Sequence, residues 1–192
     1  MTKKQKNISC PCKNPEPIRS LRCGDEVLLS GTIFTGRDAF HKKLSSLEKA
    51  PYFLLPGSAI YHCGPIAKNE GGNFKIIAAG PTTSWRMGLY APEIIKRFHV
   101  KIFIGKGGMN QKFAEACVKH GAVYLSFPGG CAQSACKYFS EIRNVYYLNE
   151  FGPAEAVYEI SVKNMPLTVT IDSHGGNLHE KIKNTSLKKI SS

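Results

Sequence analysis

Three short segments of the chain combine cationic side chains with glycines and hydroxyl groups. They are residues 31–41 with Arg37 and His41, residues 80–87 with Thr82 and Arg86, and residues 104–109 with Lys106. An arginine binds a carboxylate through two parallel hydrogen bonds, and a lysine adds a point charge. The segments therefore predict a site for a small dicarboxylate. His41 alone among their side chains has an ordinary pKa that suits proton transfer near neutral pH.

The first segment places Arg37 and His41 four residues apart at the start of a predicted helix. Residues at this spacing share one helix face, and the N-terminus of a helix favours anions. One interpretation is a carboxylate grip by Arg37 with His41 available for proton transfer. The other, which this segment alone favours, is a surface arginine beside a hydrogen-bonded helix histidine.

The other two segments each follow a predicted strand. Residues 80–84 place three hydroxyl groups in a row at a strand end, which is a common place for a site but also a common Ser/Thr turn. Arg86 follows closely and can reach the same space. Residues 105–108, Gly-Lys-Gly-Gly, lack the spacing of a Walker loop. They are either a strand-to-helix turn or a loop that points Lys106 at an anion.

The cysteines do not have the spacing of a known metal centre. Only two pairs are close in sequence, Cys10 with Cys12 and Cys131 with Cys136, and neither matches a zinc ribbon or a ferredoxin motif. We expect no metal to be held by this chain alone. Seven cysteines is an odd number that does not suit a secreted disulfide framework, so we expect a reducing, cytoplasmic location.

Strands and helices alternate along the chain, which predicts an α/β or mixed α+β fold. We expect strands at 26–30, 52–55, 59–63, 74–79, 100–104, 122–127, 145–148, 157–162 and 167–171. We expect helices from the 35–38 region to 47, at 92–98, at 110–120 and at 131–139. Local signals add a capping box at Thr35 and Asp38, a hairpin turn at 68–73, a helix C-cap at Gly121 and a frayed end after 173.

Composition sets broad limits on the molecule. A chain of 192 residues with 42% hydrophobic content fits one domain with a substantial core. The chain has no apolar run long enough for a membrane span, and we expect no secretory signal. Half of the net charge of +12 lies at the two ends, in residues 1–6 and 173–192. The remainder suits an anionic substrate as well as it suits a nucleic acid.

Seven motifs taken together resemble a known family. They are Gly24 to Val27 with Ser30 to Thr32, Arg37-Asp38 with His41, Gly64-Pro65, Gly80 to Met87, Gly105 to Met109, Phe127-Pro128, and Asp172 with His174-Gly175. In this order they resemble the β subunit of the class I iron–sulfur hydro-lyases, which include two-subunit fumarate hydratases and L-tartrate dehydratases. The resemblance covers about residues 24–178.

The resemblance implies a single swivelling β/β/α-type domain, with a mixed sheet and flanking helices, docked on a larger α subunit. It implies that three cysteines of the α subunit hold a [4Fe-4S] cluster and that this chain supplies no cluster ligand. We expect αβ pairs to form a higher oligomer. The expected division is an N-terminal leader at 1–22, the hydro-lyase β-subunit domain at 23–178 and a flexible basic tail at 179–192.

The resemblance also implies roles for the site residues. Thr82 matches the proposed catalytic hydroxyl, and Arg37, Arg86 and Lys106 match carboxylate-binding residues. His41 matches a histidine often treated as catalytic in two-subunit members. The chemistry leaves both proton carriers open, because a free hydroxyl is a weak base although nearby cations stabilise its anion.

The expected function is reversible hydration of fumarate to L-malate. The alternative within the family is dehydration of L-tartrate to oxaloacetate. Trp85 stands where the family has smaller or aliphatic residues, which bears on substrate size. A basic nucleic-acid-binding module is the alternative from another class, although the chain carries no recognised binding signature for DNA or RNA. A regulatory or structural domain without an iron-containing partner is a third interpretation.

Overall fold

The computed structural model describes residues 5–71 and 73–190. Within these residues the chain forms nine β-strands, seven α-helices and two short 3₁₀ helices. The strands are β1 (Lys6–Cys10), β2 (Glu26–Thr35), β3 (Ala59–Tyr61), β4 (Ile66–Glu70), β5 (Asn73–Ala78), β6 (Ile102–Gly105), β7 (Val123–Ser126), β8 (Phe139–Tyr146) and β9 (Val157–Ile171). The helices are α1 (Glu16–Arg19), α2 (Asp38–Ser46), α3 (Ala91–Phe98), α4 (Gln111–His120), α5 (Ala132–Ala135), α6 (Leu148–Phe151) and α7 (Leu178–Ile190), and the 3₁₀ helices span Ser84–Leu89 and Cys136–Tyr138.

Seven strands form one mixed sheet in the order β1-β2-β3-β6-β7-β9-β8. The first five of these run parallel, and β9 pairs antiparallel with β7 and β8. Strand β9 also pairs antiparallel with β2, and Thr168 lies opposite both Glu26 and Ser126. Strands β2, β3, β6, β7 and β9 therefore close into a ring. The predicted mixed α/β architecture with flanking helices is confirmed.

Alternate residues of the ring strands belong to two hydrophobic cores. The first core, inside the ring, includes Ile33, Tyr61, Ile104 and Leu125. The second core lies between the ring and helices α2, α3 and α4, and it includes Phe34, Ile60, Phe103 and Tyr124. Successive side chains of a strand point to opposite faces, so each strand contributes to both cores. Burial on both faces makes these strands a rigid frame for the loops at their ends.

The carboxyl ends of the parallel strands β2, β3 and β6 lie at one edge of the sheet. This edge is where ligands bind in many α/β proteins, because the loops that leave the strands converge there. Two of the predicted site segments begin within β2 and β6 and continue beyond the carboxyl ends of these strands. The third, residues 80–87, follows the β4–β5 hairpin and returns to the same edge.

Several local predictions differ from the structure. Residues 52–55 form a turn and irregular loop and no strand, because proline flanks them on both sides; Leu54 is buried in the second core, and Phe53 packs against that core. The two strands expected at 157–162 and 167–171 are one continuous strand, β9, in which Asn164 adopts a positive φ of 51°. The predicted turn at 68–73 does join a hairpin, but its first strand is β4 rather than residues 59–63.

The predicted capping box at Thr35 and Asp38 is wrong. Strand β2 runs to Thr35, and Arg37 is the N-cap residue of α2. The Thr35 hydroxyl accepts a hydrogen bond from the Tyr158 backbone N–H and donates to the Ala156 carbonyl oxygen. The hydroxyl therefore joins β2 to β9 and does not cap the helix. By contrast, the predicted C-cap at Gly121 is confirmed by its φ of 67°.

Both ends of the chain carry secondary structure within the described residues. The segment expected as a leader contains β1, which pairs parallel with β2 over five residues. Part of the segment expected as a flexible basic tail lies in α7. No helix in the described part of the chain has the length and apolar character needed to cross a membrane.

Candidate active site

The loop that carries Thr82 is fixed between the ends of two strands. The Thr82 backbone N–H donates to the carbonyl oxygen of His62, the residue after β3, over 2.7 Å. The Ser84 N–H donates to the Lys106 carbonyl oxygen over 3.3 Å, and Thr83 pairs with Lys106 as a parallel bridge. Two of the three predicted segments are therefore in direct backbone contact.

Arg86 lies in the 3₁₀ helix that follows this loop, and its guanidinium joins the loop to the start of α2. Its Nε and Nη2 donate to the two carboxylate oxygens of Asp38, each over 2.9 Å. Nη2 also donates to Thr82 Oγ1 over 3.4 Å. These hydrogen bonds lower the pKa of Asp38 below its ordinary value, although partial burial acts in the opposite direction. Asp38 is therefore ionised at neutral pH and orients Arg86.

Arg37 has an acidic neighbour of its own. Its Nε lies 3.1 Å from Glu155 Oε1, and the second Glu155 oxygen accepts a hydrogen bond from the Ala39 N–H. The absence of a side chain at Gly64 makes room for this arginine, since a Cβ there would lie 2.7 Å from Arg37 Cδ. Two acidic residues, Asp38 and Glu155, therefore each contact one arginine at this edge.

Lys106 differs from the two arginines. Its side chain is exposed, and no carboxylate of the described residues forms an ion pair with it. Gly129 allows the lysine stem to approach, because a Cβ there would lie only 3.3 Å from Lys106 Cδ. Lys106 therefore presents an ammonium group at the edge of the site without a built-in counter-charge.

His41 lies beneath the exposed cations and is fully buried. Its Nδ1 is 2.8 Å from the Arg37 carbonyl oxygen. A carbonyl oxygen only accepts, so Nδ1 carries the hydrogen. Burial lowers the pKa of His41 from 6.5 to about 4, so the imidazole is neutral near pH 7. Arg37 and His41 are in contact as predicted, but His41 contacts the backbone carbonyl of Arg37 and not its guanidinium.

Sequence reasoning missed three polar residues near His41: His62, which packs against its ring, and Ser84 and Tyr124, which lie next to His62. His62, Ser84 and Tyr124 are all fully buried. Ser84 Oγ accepts a hydrogen bond from the Tyr124 hydroxyl and lies 2.8 Å from His62 Nδ1. A side chain at Gly105 would collide with Ser84 Oγ, so glycine is required there. The Thr-Thr-Ser run was a signal for Ser84, whereas His62 and Tyr124 lie in or beside apolar strands that indicate only core.

The cysteines of this chain do not fit an iron–sulfur cluster. Among the described residues no three His, Cys, Asp or Glu side chains are grouped as metal ligands. Cys10, Cys63 and Cys117 are buried, and burial raises their thiol pKa, that of Cys10 to about 12. A cluster ligand is a thiolate, which these environments disfavour. The arrangement instead suits binding of an anion by cations at an open edge.

Comparison with known proteins identifies the family. The model of the family described as Fumarase C-terminus matches residues 2–182 of this chain. The chain belongs to the fumarase C-terminus family. The predicted relation to the β subunits of the class I hydro-lyases is confirmed.

Three relatives illustrate the similarity within the fumarase C-terminus family. A "Putative fumarate hydratase class I" of Geobacillus stearothermophilus is 47% identical over 177 residues, which cover 92% of this chain but only 34% of that relative. The "Putative L(+)-tartrate dehydratase subunit beta" of Methanocaldococcus jannaschii is 40% identical, covering 90% of this chain and 91% of the relative. The "L(+)-tartrate dehydratase subunit beta" of Escherichia coli K12 is 39% identical, covering 91% and 86%. The chain thus spans about a third of the first relative and most of the other two.

Two large apolar side chains of this fumarase C-terminus domain are exposed beside the cations. Trp85 is 59% exposed and Leu89 is 78% exposed. Both belong to the 3₁₀ helix that carries Arg86, whose opposite side buries Ser84 and Met87. The helix therefore presents apolar surface on the same side of the loop as the Arg86 guanidinium.

Proposed function

We propose that this chain is the β subunit of an iron–sulfur-dependent hydro-lyase that reversibly hydrates fumarate to L-malate. The observation that carries the proposal is the grouping of Thr82, Arg37, Arg86 and Lys106 at one sheet edge in a member of the fumarase C-terminus family. The similarity to a relative named as a class I fumarate hydratase supports the choice of substrate.

In this proposal Arg37, Arg86 and Lys106 bind the two carboxylates of the substrate. Each arginine is oriented by one acidic neighbour and retains guanidinium N–H groups for a ligand. Together with Asp38 and Glu155, the three cations carry a net charge of about +1 before substrate binds. A dicarboxylate dianion offers two charges to this surface, and charge-assisted hydrogen bonds give it a fixed orientation.

Thr82 is the proposed base that removes the C3 proton of malate. The N–H of Arg86 that points at Thr82 Oγ1 favours the anionic form of this hydroxyl. The His41 side chain is buried and uses its only N–H on the Arg37 carbonyl oxygen. We therefore assign His41 to the orientation of Arg37. This chain binds the substrate and moves the proton, and departure of the hydroxyl group belongs to the α subunit.

We assign the [4Fe-4S] cluster to a cysteine-bearing α subunit. Two considerations support this: the cysteines of this chain do not fit a cluster, and relatives named as subunit beta imply an alpha subunit partner. We also propose that the α subunit covers Trp85 and Leu89, since both are exposed on the 3₁₀ helix that carries Arg86. We further propose a cytoplasmic location and a higher oligomer of αβ pairs.

The finer fold assignment is also a proposal. We infer that the domain is of the swivelling β/β/α type. The closed strand ring, with β1 and β8 added at its edges and with α2, α3 and α4 packed over one side, supports this layering. In such a domain, motion as a unit would bring the cationic edge towards the partner subunit.

Anaerobic co-expression with a cysteine-bearing α subunit tests the function. The purified complex should contain iron and interconvert fumarate and L-malate, and the isolated chain should do neither. A complex that contains iron but has no activity on fumarate, malate or either tartrate enantiomer would contradict the proposal. A stoichiometric cluster with turnover in the isolated chain would contradict the division between subunits.

L-tartrate dehydration to oxaloacetate is the second candidate. The match over most of the length of two tartrate dehydratase β subunits favours it. Comparison of kcat/KM for L-malate and L(+)-tartrate on the same preparation decides between the two substrates. We propose no nucleic-acid partner, and a salt-dependent affinity for duplex DNA or RNA in the micromolar range would contradict that.

A further inference from the structure

Four buried polar side chains form a network beneath the exposed cations. Tyr124, Ser84, His62 and His41 are each 0% exposed. They come from β7, the 3₁₀ helix, the residue after β3, and α2. Buried polar groups must find partners within the protein, because water does not reach them. Contacts among the four side chains therefore couple the positions of four separate elements.

The hydrogen bonds of this network have a defined direction. The Tyr124 hydroxyl donates to Ser84 Oγ. Ser84 has one hydroxyl hydrogen, and His62 Nδ1 at 2.8 Å is the acceptor for it. His62 then carries its own hydrogen on Nε2. His41 has the opposite tautomer, because its Nδ1–H donates to the Arg37 carbonyl oxygen.

The two imidazole rings complete the network. Their centroids are 4.9 Å apart at an interplanar angle of 72°. Both Nε2 atoms are buried without a hydrogen-bond partner among the described residues. By the tautomers above, the His62 Nε2 carries a hydrogen and the His41 Nε2 carries a lone pair. The edge-to-face contact of the rings thus links the Ser84 hydroxyl, through His62, to His41 and the Arg37 carbonyl oxygen.

Each proposed substrate-contacting residue is attached to this network. Ser84 lies two residues from both Thr82 and Arg86, and its N–H donates to the Lys106 carbonyl oxygen. The His62 carbonyl accepts the Thr82 N–H, and the Arg37 carbonyl accepts from His41. Gly105 gives the network its room, since a Cβ there would collide with Ser84 Oγ and lie 2.9 Å from the Tyr124 oxygen.

We propose that Ser84 is a positioning residue for the reaction. Its hydroxyl, held between Tyr124 and His62, sets the position of the loop that carries Thr82 and Arg86 relative to Lys106 and Arg37. This inference rests on the proposed function, because it assigns Ser84 a role in that same site. Loss of the hydroxyl leaves the Tyr124 hydroxyl and His62 Nδ1 buried without their partner. Small displacements of a reacting group reduce turnover more than binding.

The test uses the assembled αβ enzyme with Ser84→Ala, Tyr124→Phe and the double variant. Ser46→Ala is the matched control, because its exposed hydroxyl bonds only to the Lys43 carbonyl oxygen at the end of α2. We expect Ser84→Ala to lower kcat about ten- to a hundred-fold with KM changed less than about threefold. Tyr124→Phe should lower kcat by a few-fold, and the double variant should match Ser84→Ala.

A second measurement does not depend on activity. Nitrogen-15 NMR of the histidine rings in the full-length chain should show His62 with its hydrogen on Nε2 and a hydrogen-bonded Nδ1. The Nδ1 resonance should shift in Ser84→Ala and stay unchanged in Ser46→Ala. If Ser84→Ala does not assemble with the α subunit, Tyr124→Phe carries the kinetic test.

Two results would overturn the inference. The first is wild-type kcat in Ser84→Ala or, if that variant does not assemble, wild-type kcat in Tyr124→Phe. The second is an unchanged His62 Nδ1 resonance in Ser84→Ala. Failure of the proposed function itself looks different. In that case the wild-type complex turns over no dicarboxylate, and the NMR measurement still decides whether the network exists.

Discussion

Two sets of polar groups meet at the same edge of the sheet, and they differ in their exposure and in their hydrogen-bond partners. Arg86 and Lys106 lie at the surface, and Lys106 has no acidic partner among the described residues. His41 and His62 lie one layer deeper and are fully buried. Exposed groups with unused hydrogen-bonding capacity are available to a ligand, whereas each of the two buried histidines uses its Nδ1 on a partner within the protein. On the proposed function, the first set contains residues that contact the substrate, and the second set contains residues that position them.

The two layers should therefore respond differently to substitution. Removing an exposed side chain changes little in the folded core, so activity should fall while stability stays near wild type. Removing a buried polar group disturbs packing and leaves its partners unpaired, so stability should change as well. The variants below test this contrast in the assembled enzyme or in the full chain, from the largest expected effect to the smallest.

Thr82→Ala should have the largest effect. If its hydroxyl removes the proton, kcat should fall about a hundred- to ten-thousand-fold while the unfolding temperature stays near wild type. Thr82→Ser keeps the hydroxyl and should retain part of the activity. Steady-state kinetics on cluster-replete complexes measure this, with thermal unfolding as the control for folding. A fall of less than threefold in Thr82→Ala would remove the threonine from the chemistry.

The burial of His41 should make the free energy of unfolding depend on pH. The pKa of His41 is about 4 in the folded chain against 6.5 as the ordinary value. The unfolded state therefore binds more protons between these values, and the free energy of unfolding should fall as pH drops from about 6.5 to 4. The loss attributable to His41 is roughly 3 kcal/mol. Burial lowers the pKa of His62 in the same direction, so the observed slope should be steeper still.

Urea unfolding of the full chain between pH 8 and pH 4 measures this slope. His41→Asn should be less stable at pH 7 but should show a shallower slope between pH 6.5 and 4. His99→Asn is the matched control, because His99 is an exposed histidine at the C-cap of α3. The same slope in wild type and His41→Asn would mean that His41 titrates in the folded state as an exposed histidine does.

Removal of each cation should reduce activity by a similar amount. Arg37→Ala, Arg86→Ala and Lys106→Ala each delete a charged hydrogen bond to the substrate, worth roughly 1.5–3 kcal/mol, or about ten- to a hundred-fold in kcat/KM. Arg86→Ala should be the most severe, because it also leaves Asp38 unpaired and Thr82 without its donor. Lys96→Ala, at an exposed lysine of α3, serves as the control. Wild-type kcat/KM in all three variants would place the site elsewhere.

Trp85→Ala should have the smallest effect on turnover, and it should instead weaken binding of the α subunit. An exposed aromatic residue at the centre of an interface contributes about 1–2 kcal/mol or more to binding. The dissociation constant for the α subunit should therefore rise about tenfold, with kcat of the saturated complex near wild type. Tyr52→Ala is the control, because this exposed tyrosine lies beyond the C-terminal end of α2, whereas the site lies at the N-terminal end of that helix. Equal affinities for both variants would move the interface away from Trp85.

The sequence predicted those parts of the site that depend on local pattern. Arg37 and Lys106 follow parallel strands of the sheet, whose carboxyl ends meet at one edge, so their grouping was predictable. Arg86 follows the antiparallel β4–β5 hairpin, and this rule does not place it at that edge. Glu155 was not predictable, because it reaches Arg37 from a loop far along the chain before β9. His62 and Tyr124 were missed for a different reason: within apolar strands, a polar side chain satisfied in the core resembles its neighbours in pattern.

In the fold, too, features set by local sequence were predicted and features set by long-range contacts were not. Helices α3 and α4 were predicted closely because their caps and apolar spacing are local signals. The Thr35 capping box failed because pairing of β2 with β9 extends the strand to Thr35, and that pairing joins residues distant in sequence. Closure of the ring by β9 likewise depends on long-range registers that no local pattern specifies.

Exchange of the C3 proton of L-malate with solvent tests the central claim most directly, because it isolates the proton step from overall turnover. The claim is that Thr82, in the loop at the edge of the site, moves the proton and that the buried layer positions this loop. The assembled wild-type enzyme, Thr82→Ala and His41→Asn are compared in deuterated buffer, with deuterium incorporation at C3 followed by NMR. The account predicts that exchange is lost in Thr82→Ala and persists, at a reduced rate, in His41→Asn. Normal exchange in Thr82→Ala with none in His41→Asn would contradict it and assign the proton to the buried histidine.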